Sequence, residues 1–71
     1  MYNLNKLKGR IVEMFGTQRN FAKAMGMSER TLYLKLDNQV DWKQTDIVKA
    51  CELLEISKEE IAEYFFTLIV Q

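Results

Sequence analysis

Two junctions of glycine with a hydroxyl residue, Gly16-Thr17 and Gly26-Met27-Ser28, constrain this chain more than any other feature. Glycine takes the left-handed conformation that closes a helix, and a Thr or Ser hydroxyl accepts from the first free N–H groups of the next one. Between the junctions, apolar residues recur at three- and four-residue steps. Leu4, Leu7, Ile11, Met14 and Phe15 make one face of a first helix, and Phe21, Ala22 and Met25 one face of a second over Gln18 to Met25. Ser28 is placed to cap a third helix running to about Leu36, with Leu32 and Leu36 inward at i, i+4. The chain has 71 residues and no proline, so nothing breaks these helices, and the length allows one domain with a small core, residues 1–71.

The second half continues in the same style and then changes. Asp37-Asn38-Gln39 is turn chemistry, because Asn tolerates the left-handed region and both Asp and Asn bond to nearby backbone. With Lys43 as N-cap, Trp42 and Ile47 stand at the two positions of a hydrophobic staple, which makes Trp42 a core residue. A fourth helix over about Gln44 to Leu54 is expected to bury Ile47, Val48, Cys51 and Leu54. Ser57 and Glu60 form a capping box that opens a short fifth helix through Ile61 and Tyr64. The tail, about 65–71, carries no charge and is rich in aromatic and β-branched residues, which favours extended chain from about Phe66. As a strand it turns Phe66, Leu68 and Val70 one way and Phe65, Thr67 and Ile69 the other, both sides mostly apolar. The expected fold class is all-α: a compact helix-turn-helix domain of four to five helices with a short extended C-terminal segment.

Composition removes most catalytic chemistry. The chain has no histidine, which excludes Ser-His-Asp triads, Cys-His pairs and most zinc sites. No nucleophile-base pair, metal-ligand cluster or phosphate loop is present, so no enzyme activity, cofactor or metal is expected. The single cysteine, Cys51, cannot form an intramolecular disulfide and reads as a small core residue of a cytoplasmic protein. No apolar run approaches the roughly 20 residues of a membrane helix, and MYNLNKLKGR is not a signal peptide, so no membrane partner is expected. The formal net charge is zero but unevenly spread. Residues 1–35 hold seven Lys and Arg against two Glu, or +5, and residues 36–71 hold three Lys against eight carboxylates, or −5. Such asymmetry suggests an anionic partner at one end.

Thr17 to Leu36 satisfies several independent requirements at once. Ala22 is small where the next helix crosses, Gly26 frees the turn, Met27 plugs the corner, Ser28 caps and Leu32 anchors. This is the spacing of a helix-turn-helix, motif about 17–36. The stretch QRNFAKAMGMSERTL resembles the helix-turn-helix of the lambdoid phage repressor and Cro family. More closely, FGTQRNFAKAMGMSERTLYLKLDNQV, followed by WKQTDIVKACELL and YFFTLIV, resembles small helix-turn-helix regulators from phages and prophages of Gram-positive bacteria over roughly residues 4–71. The resemblance implies a repressor-like transcriptional regulator that binds double-stranded operator DNA in the major groove, usually as a homodimer, in the cytoplasm of a host cell. In the wider family an aliphatic anchor often stands where this chain has Lys35.

On that reading Arg30 is the leading base reader, since Arg binds guanine O6 and N7 with two bonds. Thr31 and Tyr33 meet a thymine methyl or a phosphate, and Leu34 a thymine methyl or a partner's surface. Glu29 accepts from a cytosine amino group or serves the helix dipole. Gln18 and Arg19, at the start of the second helix, contact backbone phosphate, as do Lys35 and Lys43. Phe66, Leu68, Ile69 and Val70 are expected at a dimer contact, as an antiparallel strand pair or two packed tails. The competing arrangement folds the tail back over its own helices. A second function, from another class, uses the same body as a protein-interaction module, an antirepressor or assembly partner without specific DNA binding. Zero net charge, Glu29 and Leu34 speak for it.

Overall fold

A computed structural model describes residues 1–69. Five α-helices follow one another: α1 Asn5–Phe15, α2 Gln18–Met25, α3 Glu29–Leu36, α4 Gln44–Leu54 and α5 Ile61–Phe65, the last led by a 3-10 turn at Lys58–Glu60. The all-helical expectation stands. Both junctions close as their chemistry dictates. Gly26 takes a left-handed conformation at φ 73°, and the Met27 N–H donates to the Ala22 carbonyl at 3.0 Å. The Thr17 hydroxyl accepts from the Asn20 N–H at 3.1 Å, and Ser28 Oγ accepts from the Thr31 N–H at 3.0 Å. Leu7, Ile11, Phe21, Leu32 and Leu54 are fully buried where α1, α2, α3 and α4 meet. Phe15 packs its ring edge-on to Phe21 at 5.3 Å.

Lys43 is the N-cap of α4, and Trp42 and Ile47 both pack against the core as a staple requires. The cap is made from the helix side: the Asp46 carboxylate accepts from the Lys43 N–H at 3.0 Å. The buried positions of α4 are Ala50, Cys51 and Leu54, with Ile47 half-buried. Val48, expected in the core, lies on the margin of that stripe and is 54% exposed. Burial pushes the Cys51 thiol above its ordinary range, as suits an inert core residue.

Ser57 and Glu60 make the expected box: one Glu60 oxygen accepts from the Ser57 N–H at 3.2 Å and from its hydroxyl at 3.0 Å. Those two bonds hold the Glu60 carboxyl below its ordinary range. Tyr64 and Phe65 of α5 are buried, Phe65 edge-on to Trp42 at 5.2 Å. Phe66 ends α5 with its N–H donated to the Ala62 carbonyl, and two residues later Leu68 forms an antiparallel bridge with Tyr2. The tail is thus held against the N-terminal segment of its own chain.

Candidate functional site

Thr17, Gln18, Arg19, Glu29, Arg30 and Tyr33 line an open groove where α2 and α3 begin. Gln18 is half-buried, and Arg19, Glu29 and Arg30 are exposed. The fold thus brings five of the candidates, Gln18, Arg19, Glu29, Arg30 and Tyr33, to one groove. Their charges, however, meet each other: Arg19 Nε lies 3.4 Å from Glu29 Oε2. The Thr31 hydroxyl accepts from Ser28 Oγ at 2.9 Å and belongs to the cap. Tyr33 is exposed, while Leu34 is half-buried and its carbonyl accepts the N–H groups of Gln39 and Val40. Lys43 is exposed at the start of α4, away from this groove's lining.

Lys35 departs furthest from expectation. Instead of reaching a phosphate it is 4% exposed. Its ammonium donates to the Asp41 carbonyl at 2.9 Å and pairs with Asp46 Oδ2 at 2.9 Å. Burial raises the Asp46 carboxyl, but bonds from Lys35 and from the Lys43 N–H outweigh it and hold the group below its ordinary value. The cause is positional. Lys35 follows Leu32 by one turn on the inward face, and a buried ammonium must be paired. The signal for this lay in the Leu32-Lys35-Leu36 spacing with a carboxylate at Asp46.

The charge asymmetry also folds back on itself. Lys6 pairs with Glu63 and lies 4.7 Å from the Tyr64 ring centroid. Arg10 meets Glu13 at 2.6 Å and the Leu54 carbonyl at 2.9 Å. Four of the seven cations in residues 1–35 are thus in ion pairs, two of them with carboxylates of the acidic half.

A different surface lies at the chain termini. Phe66 is 46% exposed, Leu68 64% and Ile69 45%, with Met1, Tyr2 and Val40 exposed as well. Tyr2 stacks edge-on to Phe66 at 5.5 Å. The Asn3 N–H donates to the Thr67 carbonyl at 2.7 Å, and the Ile69 N–H to the Met1 carbonyl at 3.3 Å. Asn38, left-handed at φ 62°, accepts from the Tyr2 N–H at 3.1 Å and donates through Nδ2 to the Tyr2 carbonyl at 2.9 Å. Beneath lies a cavity of about 300 Å³ between Tyr2, Lys35, Val40, Trp42, Phe65 and Phe66. Within one chain the tail pairs with the N-terminal segment, as in the competing arrangement that folds it back on its own body, and Phe66, Leu68 and Ile69 stay exposed; Val70 lies outside the described residues. Sequence reasoning missed Tyr2 and Asn38, and only the turn character of Asn38 hinted at its role.

The profile of a family described as "Protein of unknown function (DUF739)" matches residues 1–68. The search of the curated proteins gave no match. Among solved structures, the chain is similar to the solution structure of the modulator of repression (MOR) of the temperate bacteriophage TP901-1 from Lactococcus lactis. The two are 48% identical over 99% of this chain and 95% of that one, with a TM-score of 0.83. This likeness corrects the expectation of a Cro-like regulator working as a homodimer on double-stranded operator DNA, since the similar protein is a modulator of repression. The geometry gives the physical reason. Of the four expected phosphate contacts, Arg19 faces Glu29 and Lys35 is buried in an ion pair, which leaves Gln18 and Lys43. No helix among the described residues is long and apolar enough to cross a membrane.

Proposed function

We propose, for a chain that belongs to the DUF739 family, the role of a modulator of repression: a small interaction module that alters a phage repressor's action by binding the repressor protein. The observation that carries this reading is the apolar surface at the termini. Phe66, Leu68 and Ile69 stand exposed beside Tyr2 and Val40, in a segment without charge from Tyr64 onward. A contiguous exposed apolar patch on a small domain marks a protein contact. Its core of aromatic and aliphatic side chains matches the centre of protein–protein interfaces. The helix-turn-helix body then serves as the scaffold on which this surface is mounted.

The test is calorimetry of the chain against the repressor of the same phage, repeated as salt rises from about 0.05 to 0.2 M. Affinity is expected to change little across that range, because apolar contact releases few counterions. Adding the chain should also weaken the repressor's hold on its operator. A chain that leaves both the repressor and its operator complex unaffected would falsify this role.

A further inference from the structure

The short pairing of the termini is unequal at its two edges. Tyr2 and Leu68 form an antiparallel pair whose bonds run through their neighbours, from Asn3 to Thr67 and from Ile69 to Met1. In such a pair the two central residues turn their own N–H and C=O groups outward, away from each other. On the Tyr2 side both groups are taken up. The Asn38 side-chain amide accepts from the Tyr2 N–H and donates to its carbonyl, reproducing what a neighbouring strand residue would offer. On the Leu68 side, neither the N–H nor the C=O has a partner among the described residues.

The protections usual at a free edge are missing there. Lysine, proline and inward charges keep edges from pairing, yet residues 64–71 contain none of these. The exposed side chains of Phe66, Leu68 and Ile69 flank the open groups. We propose that the Leu68 edge takes an uncharged, extended segment of the partner protein as an added third strand. The proposal rests on the modulator reading and specifies its contact. Backbone groups of Leu68 supply register, and the flanking apolar side chains supply contact area, the division of labour in strand addition. Because Asn38 caps the other edge, the addition is one-sided.

The chain is short enough for total synthesis, so the Leu68 amide can be N-methylated with its side chain kept. Helical signal and melting temperature should stay as in the parent, since no described partner of that N–H is lost. Affinity for the phage's repressor should fall about tenfold or more. In the unmodified chain, hydrogen exchange at the Leu68 amide should slow markedly when the repressor is added, a readout independent of how the methylated chain folds. An unchanged affinity of the methylated chain, or unchanged exchange at Leu68 within a formed complex, overturns the proposal. Absence of any complex instead sinks the modulator role, and strand addition falls with it. Self-association of the parent that N-methylation abolishes would place a second copy on the edge and also overturn the proposal.

Discussion

Around Phe21 and Leu32 the chain is held by side chains that water does not reach, whereas around Tyr2 and Leu68 it is held by backbone and amide hydrogen bonds in the open. α3 belongs to both regions. Its Leu32 and Leu36 sit in the core, and the turn that follows it supplies Asn38 to the terminal clasp. The contrast separates two duties. Burial of apolar area defines the fold and tolerates little change. The clasp adds less stability than the core, and its exposed side chains present a surface to solvent.

The contrast breaks most visibly in the core. Phe21→Ala removes a fully buried ring in contact with Phe15 and should cost about 3–5 kcal/mol. Leu32→Ala should cost about 2–5 kcal/mol. Small domains hold little more than 5 kcal/mol in reserve, so urea midpoints should fall steeply for both. A near-parental midpoint for Leu32→Ala would show that α3 is not anchored through this residue.

The same distinction explains what the sequence disclosed. Helix starts and stops were legible because Thr17, Gly26, Ser28 and Glu60 act on groups within five residues of themselves. Much of the core followed from periodicity, but Val48 lies at the margin of its stripe, and the buried Ala50, Ile56 and Phe65 were not expected in it. What periodicity does not carry is the partner of a distant group. Lys35 reads as a phosphate contact until Asp46 closes on it, and the tail's choice between a second copy and its own chain stays open until Tyr2 is seen beside it. Gln18, Arg19, Glu29, Arg30 and Tyr33 share one groove, but the Arg19–Glu29 contact depends on how α2 and α3 cross, which local spacing does not specify.

Lys35 and Asp46 lie between the two regions in expected effect. Lys35→Met leaves the Asp46 carboxylate beside an apolar chain, at a cost of about 1.5–3 kcal/mol near neutral pH. The sign of its pH dependence is determined. Asp46 is held below its ordinary value of 3.8, so its stabilising share is fully present above that value and is lost as pH falls through the lower, folded-state value. Parent and variant stabilities should therefore converge in acid, which thermal melts from pH 7 to pH 2 would read. A difference that persists unchanged at low pH would place the role of Lys35 in packing alone.

In the clasp, Asn38→Gly keeps the left-handed backbone accessible and removes two exposed hydrogen bonds, for a loss of about 1 kcal/mol. Asn38→Ala should lose about 1 kcal/mol more, because a Cβ disfavours that backbone. Amide exchange at Asn3 and Ile69 should quicken in both, while exchange in the α1 and α2 cores stays slow. Core exchange that quickens equally would mean that clasp and body open as one unit.

The smallest effect on stability belongs to Leu68→Lys. Leu68 is 64% exposed, and a lysine there buries no charge and breaks no described contact, so melting should stay within about 0.5 kcal/mol of the parent. Binding should respond in the opposite sense. If the apolar surface is the contact, an ammonium at its centre must be desolvated without a partner, and repressor affinity should fall by at least tenfold, or about 1.4 kcal/mol. Arg30→Ala is the comparison change, at an exposed position set in the α2–α3 groove. It should leave both melting and repressor affinity near the parent's. A binding loss with Arg30→Ala and none with Leu68→Lys would move the contact from the termini to the groove, and the body would then be the working surface rather than its support.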